Sequence, residues 1–480
     1  MKRGAIEDVL PDVGGTFLSA DGMRILYSLN RKWGIVSAME SHQLGAGMLD
    51  LSRLETILDP EAEWHQIFIE AWRNHRDYFY DKNMHGVDWN AIRQRYESYL
   101  PDIRYRSDLN FVLSHMLGEA VNSHTGVLGG DIPGMSGIPE EAGGSPDIKK
   151  IPGGLLGADY EVAHDRYRIK KILRTPIWDR DEEKSPLAQP GVNVQEGEYI
   201  LAVNGQELKY PTSLYSMFIN TAGSRVTLRV NDRPQMEGSR TVTAVPLESE
   251  RELRRRAWIE ENRKRVDDLS GGKIAYVYQP DTGPLSVQEF VRYFFPQADR
   301  EAIIIDERFN DGGADTDYQL DILDRQQVHW YVPRQAPPAT SPFYMITGPK
   351  VMLVNAEAGS GGDVLPYQFT LRGLGTTVGT RTWGGIQGGA EGVPYQMIDG
   401  GIVTTPSLGT FSPEGKYILE NTGFTPEHVV EDFPRDGYLG KDRQLEKAIE
   451  LIMDQLRRNP PKGIPVMEKV DRSLKAMPNE

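Results

Sequence analysis

The stretch Val351-Met-Leu-Val-Asn355-Ala-Glu-Ala-Gly359-Ser360-Gly361-Gly362-Asp363 decides how this 480-residue chain is read. It is an apolar strand that stops at a turn of small residues and leads into a helix expected over Val364–Leu371. In α/β folds such strand ends carry the chemistry, because the unpaired N–H groups of a first helical turn can receive developing negative charge. Glycines on both sides of Ser360 leave its hydroxyl uncovered and let a substrate backbone approach. A serine at this place has a second, plainer reading as a helix N-cap.

Working outward, Lys273–Tyr278, Ala302–Asp306 and Lys350–Asn355 are apolar runs that alternate with helical stretches, the pattern of a parallel sheet with crossover helices. Ile305-Asp306-Glu307-Arg308-Phe309-Asn310-Asp311-Gly312-Gly313 is a second strand that ends in a glycine turn, placed to aim a backbone N–H where the turn after Ser360 aims another. Two such donors make an oxyanion hole. The acids Asp306, Asp311, Asp315 and Asp317 fit no metal-loop spacing, so no metal is expected.

Residues 59–121 read as helices, with Asp59, Asp88 and Ser107 as candidate N-caps and Pro60 at a first helical position. Leu109, Val112, Leu113, Met116, Leu117 and Ala120 follow helical spacing and end just before Asn122-Ser123-His124-Thr125-Gly126. Among nine histidines, only His124 stands in a small, polar, turn-forming context beside a helix end. Residues 16–38 read as short strands about the Asp21-Gly22 turn, like part of a β-propeller blade whose companions are absent from this chain. Gly and Pro mark residues 129–157 as a linker, Glu248–Asp268 reads as a solvated helix, residues 445–457 close the chain, and the tail after Asn459 is expected to fray.

Composition narrows the function. The length allows about three domains. A net charge of −15 argues against nucleic acid or an anionic membrane as the main partner. No apolar run is long enough to span a bilayer, and Met1–Asp8 lacks the apolar stretch of a secretory signal, so a cytoplasmic protein is expected. The chain has no cysteine, which excludes thiol nucleophiles, disulfides and thiolate metal sites.

Two resemblances follow from the motifs. Pro190-Gly191-Val-Asn-Val194-Gln-Glu196-Gly197-Glu-Tyr-Ile200-Leu201-Ala-Val203-Asn204-Gly205 resembles the turn and strand of a PDZ domain, with Glu198 in place of the customary Asp. That resemblance implies that Gly153-Gly-Leu-Leu-Gly157 meets a chain-terminal carboxylate, with the strand after it open to β-augmentation. Beyond this unit, Asn122-Ser123-His124, Asn310-x-Gly312-Gly313, Ala358-Gly359-Ser360-x-Gly362-Asp363, Gly379-Thr380-Arg381-Thr382-Trp383-Gly384-Gly385 and Glu420-Asn421-x-Gly423 occur in the order seen in tricorn protease and related carboxyl-terminal processing serine peptidases. This resemblance covers roughly residues 51–457.

The tricorn resemblance implies a multidomain α+β and α/β chain: a propeller-blade remnant (1–50), a helical cap domain with the catalytic histidine (51–150), a PDZ-like domain (151–247), an α/β (crotonase/ClpP-like) catalytic domain (248–457) and a tail (458–480). It makes Ser360 the nucleophile, His124 the base, Ser123 and Glu420 the residues that orient the base, and the amides of Gly313 and Gly361 the oxyanion donors. An ungapped count from Ser360 puts Tyr331 where the family carries an acidic residue for basic side chains, which implies a preference for apolar or aromatic ones. Substrates would be peptides or unfolded segments, without metal or organic cofactor, and the chain would form a homo-oligomer. Two other readings stay open: an α/β-hydrolase-type esterase using Ser360, Asp399 and His428 in that order, and a catalytically inert PDZ-type peptide-binding module.

Overall fold

The computed structural model describes residues 9, 10, 13–30, 32–54, 57–130, 151–176, 184–389 and 396–470. The chain divides into two compact units, Met1–Glu63 and Trp64–Glu480. In the first, β1 (Thr16–Leu18), β2 (Arg24–Leu29) and β3 (Lys32–Ser37) form an antiparallel sheet. Ser19 Oγ donates to Asp21 Oδ1 (2.6 Å) in the turn before β2, where Asp-Gly signalled a hairpin.

The second unit holds a helical core, a β-rich core and a parallel sheet with a core on each face. Helices α1 (Pro60–Tyr78), α2 (Trp89–Glu97) and α3 (Arg106–Gly118) bury Phe68, Trp72, Trp89, Leu109, Leu113 and Met116 against one another. Asp88 caps α2 through Ala91 N (3.0 Å). Ser107 does not cap α3. Tyr105 is the N-cap residue, and Asp108 reaches back to accept its amide (2.9 Å), because a carboxylate three residues into the helix reaches that N–H better than a serine already inside the first turn. After α3, β4 (Gly126–Leu128) leaves the helical layer.

The second core is a β-rich unit of β5 (Ala158–Ala163), β6 (Arg166–Ile172), β7 (Tyr199–Val203), β8 (Gln206–Glu207), β9 (Val226–Asn231) and β10 (Arg240–Ala244). Its sheet order is β10-β9-β7-β6-β5, with β8 on β7, so β5 is an edge strand. Of the expected linker 129–157, residues 131–150 lie outside those described, while Gly153–Gly157 is bonded structure. Gly154 N donates to Phe218 O (2.8 Å), and Leu155 exchanges both backbone bonds with Leu247 (2.8 Å each). Gly157 N donates to Glu250 Oε1 (2.6 Å). The turn expected to receive a foreign carboxylate therefore has these three amides engaged within the chain.

Next, α4 (Arg251–Ser270) leads to β11 (Ile274–Tyr278), α5 (Pro284–Phe294), β12 (Ala302–Asp306), α6 (Asp317–Leu323), the hairpin β13 (His329–Tyr331) and β14 (Ala339–Ser341), β15 (Lys350–Val354), α7 (Gly361–Leu371), β16 (Thr376–Gly379), β17 (Ile402–Thr404), β18 (His428–Val429), α8 (Pro434–Tyr438) and α9 (Arg443–Arg458). β11-β12-β15-β16-β18 form an all-parallel sheet. β11, β12 and β15 are buried on both faces, which is why they read as unbroken apolar runs rather than alternations. The helix expected to be solvated, α4, buries Leu253, Ala257, Ile259 and Val266; its many charges hid that stripe. The last described residues, 459–470, carry no helix or strand.

Two long-range ties fasten the helical layer to the half that carries the parallel sheet. β17 pairs antiparallel with β4, just after His124. Arg106 and Asp399, both buried, form an ion pair (2.5 Å). A third tie closes the sheet: Arg308, 2% exposed, donates to Asp306 (2.7 Å) and to Asp442 (2.9 Å), and Asp442 caps α9 through Leu445 N (2.9 Å). Arg308→Met would leave two carboxylates facing each other without their cation, so a loss of about 3–5 kcal/mol in urea unfolding is expected, and a loss under about 1 kcal/mol would contradict the tie.

Candidate active site

Three strand ends converge at one edge of the parallel sheet. After β12 the chain turns through Asn310-Asp311-Gly312-Gly313, after β15 through Ala358-Gly359-Ser360, and after β16 through Thr380–Gly385. Asn355 joins the first two turns, its Oδ1 accepting from Phe309 N (2.9 Å) and Ala358 N (3.2 Å). Gly359 N donates to Asn310 O (3.1 Å). At Gly312 a Cβ would lie 2.7 Å from Ser360 Cβ, so only glycine admits this approach.

Ser360 stands at the N-cap of α7, yet its side chain makes no capping bond. Its backbone is at φ 56°, ψ −113°, a conformation rarely tolerated by a residue with a side chain. Strain together with an unengaged hydroxyl is the opposite of what a structural cap needs. Gly312 N is taken by Asn310 Oδ1 (2.8 Å). Among the described residues, the amides of Gly313 and Gly361 donate to no backbone acceptor. The two glycines adjoin, since a Cβ on Gly361 would sit 2.5 Å from Gly313 O.

His124 follows α3 and is held by its backbone: its carbonyl accepts from Thr404 Oγ1 of β17 (3.0 Å). Ser123 Oγ lies 3.1 Å from His124 Nδ1. Glu420 Oε1 accepts the Ser123 backbone amide (2.7 Å), while Oε2 accepts Ile386 N (2.7 Å) and Gln387 N (3.0 Å). The carboxylate thus fixes Ser123 through the main chain and sits close enough to raise the charge affinity of His124. Burial acts the other way and wins, so His124 titrates below the usual 6.5.

Trp383 links the two halves. Its ring lies 5.4 Å from the His124 ring, centroid to centroid, and at Gly359 a Cβ would meet it at 2.7 Å. No hydrogen bond joins Ser360 Oγ to His124 among the described contacts, and apo sites commonly hold such pairs apart until substrate binds. Asp363, one turn into α7, accepts Gly384 N (2.8 Å), Gly385 N (3.1 Å) and the Thr382 hydroxyl. Burial pushes its acid upward while these donors pull it back. The sequence carried Asp363 and Trp383 only as letters of a motif; an acid three residues after the serine was the available signal.

Glu307 was missed altogether. It is fully buried beside the Asn310 side chain, and burial drives its acid well above the usual range while Asn310 pulls the other way. Other expected residues are not brought here. Asp399 is held by Arg106 and by Gly401 N (3.0 Å), His428 lies on β18, and no described contact joins either to Ser360. Tyr331 is half-exposed on β13 and stacks on Phe343 (5.4 Å); no described contact joins it to Ser360, His124 or Trp383. A cavity of about 560 Å³ is lined by Tyr80, Asp81, His85, Val121, Phe411, Tyr417 and Asn421, of which Val121 and Asn421 stand close in sequence to Ser123 and Glu420.

Family models match the tricorn protease C1 domain over residues 60–118, the tricorn protease PDZ domain over 154–249 and peptidase family S41 over 273–430. The chain belongs to the tricorn-type S41 peptidases. It is 32% identical over 458 residues to tricorn protease homolog 1 of Streptomyces coelicolor, covering 93% of this chain and 41% of that protein. Tricorn protease of Thermoplasma volcanium is 27% identical, covering 95% of this chain and 42% of that protein. The crystal structure of the tricorn protease superposes with a TM-score of 0.80 at 26% identity, over 93% of this chain and 42% of that one. This tricorn-type chain therefore spans about two-fifths of the length of these relatives.

The opposing influences on His124 can be read directly. An NMR titration of its ring is expected to give a midpoint below 6.5, and Glu420→Gln, which removes a charge that favours the imidazolium, is expected to lower it further. A midpoint that rises in Glu420→Gln would contradict this balance.

Proposed function

We propose that this chain is a serine peptidase that hydrolyses peptides or unfolded segments. Ser360 Oγ attacks the scissile carbonyl carbon as His124 takes its proton, and the carbonyl oxygen, now negative, is received by the Gly313 and Gly361 amides. The C–N bond then breaks as the imidazolium returns the proton to the leaving amine. Water, activated by the same histidine, cleaves the acyl-enzyme and frees Ser360. Ser123 and Glu420 keep the base in one tautomer and supply negative charge near the imidazolium, the work that aspartate does in the commoner triad.

The observation that carries this reading is Ser360 itself: strained, uncapped, and next to two adjoining glycine amides that have no backbone acceptor. A lowered His124 pKa supports it, because a base must be neutral at working pH. The finer assignments belong to the same proposal: a propeller-blade element in the first unit, a crotonase-like catalytic domain spanning 248–457, a homo-oligomer, and a cytoplasmic setting without nucleic-acid or membrane partner.

Hydrolysis of a quenched fluorescent peptide library tests the proposal. Ser360→Ala is expected to keep the circular dichroism of the native chain and lose turnover, and Glu420→Gln to lower kcat about tenfold or more. Retained turnover in Ser360→Ala would overturn the assignment, and native rates in Glu420→Gln would remove Glu420 from it.

A further inference from the structure

Thr282 lies between β11 and α5, and its backbone is tied to the turn that follows β12. Its amide donates to Gly312 O (2.8 Å), and its carbonyl accepts from Asp315 N (2.7 Å). Thr282 and Gly313 are bridged in parallel. The next residues are fixed too, because Asp281 Oδ1 accepts Gly283 N (2.8 Å) and Ser286 N (3.0 Å) at the start of α5. A β-branched side chain on so constrained a backbone has few rotamers, so the hydroxyl is held in one place.

That place adjoins both glycines whose amides donate to no backbone acceptor. A Cβ on Gly361 would lie 1.8 Å from Thr282 Oγ1, and one on Gly313 would lie 3.0 Å from it. Thr282 thus occupies the space that a side chain at position 361 would need. It is 1% exposed, and among the described residues its hydroxyl has no hydrogen-bond partner. An unpaired buried hydroxyl costs about 1–3 kcal/mol, and valine would fill the same space without that cost. Thr316 and Thr382, also buried, avoid it by donating to Gln368 and Asp363.

We propose that the Thr282 hydroxyl is a third donor to the oxyanion, beside the amides of Gly313 and Gly361. This assignment rests on the peptidase reading and deepens it. As the bond from Ser360 Oγ to the scissile carbon forms, the Ser360 proton passes to His124 and the carbonyl π pair moves onto oxygen. Thr282 keeps its own proton and directs it at that oxygen. A neutral carbonyl accepts such a bond weakly and an oxyanion strongly, so the bond lowers the barrier without tightening substrate binding. The transition state then supplies the acceptor that the hydroxyl lacks in the free chain.

Hydrolysis of a quenched peptide and inhibition by a peptide aldehyde, whose adduct on Ser360 carries the same tetrahedral oxygen, test this. Thr282→Val removes the hydroxyl and keeps the shape. It is expected to lower kcat about tenfold to a hundredfold with KM little changed. Aldehyde affinity is expected to fall by a similar factor, while the affinity of an uncleaved product peptide stays native. Thr282→Ser, which restores a hydroxyl, is expected to recover most of the loss. A folded Thr282→Val chain with native kcat and aldehyde affinity would overturn the assignment, as would equal losses in Thr282→Val and Thr282→Ser, the mark of a packing role. If Thr282→Val does not fold, Thr282→Ala is compared with Thr282→Ser in the same way. A native chain that neither cuts peptides nor takes the aldehyde overturns the peptidase reading itself, and the Thr282 assignment with it.

Discussion

Two buried carboxylates grip one short segment, Thr382–Gln387, and the geometry of the site depends on that grip. Asp363, on the helix that Ser360 begins, takes the Thr382 hydroxyl and the amides of Gly384 and Gly385. Glu420 takes the amides of Ile386 and Gln387 and, with its other oxygen, that of Ser123. Ser360 and His124 come from chain positions more than 200 residues apart, and this segment spans between them with Trp383 in contact with both sides. Charge-assisted bonds of this kind are worth about 1.5–3 kcal/mol each, and a buried carboxylate that loses them bears the cost of its desolvation, so the arrangement is held strongly.

Around that segment the fold is organised to resist shear. β4–β17 pairing and the Arg106–Asp399 ion pair fix the helical layer that carries His124, while Arg308 fixes the end of β12 to the closing helix. The strained Ser360 backbone survives because Asn355, Asn310 and the glycine turns determine its position from several directions at once.

The legible parts of this structure were those set by local chemistry. The parallel strands announced themselves as unbroken apolar runs, and the Ser360 turn and the Asn310–Gly313 turn by their small residues. Ser123-His124 was visible as a polar turn after an amphipathic helix. What stayed hidden depends on distant partners. Glu420 reaches Ser123 through its amide, which no side-chain pattern records. Asp399 looked available as a catalytic acid until Arg106 was found against it. The Gly153–Gly157 turn looked open, yet a glutamate about ninety residues on fills it. Charge along α4 disguised its buried stripe, because four apolar positions among many Arg and Glu give little periodicity.

The most direct test of the account is whether the gripped segment makes Ser360 reactive. Intact-mass analysis after treatment with an organophosphorus serine probe should give one adduct on the native chain and none on Ser360→Ala or His124→Ala. It should also give markedly slower labelling in a folded Asp363→Asn chain. Labelling of His124→Ala at the native rate, or no adduct on the native chain, would contradict the claim that Thr382–Gln387 assembles an activated serine.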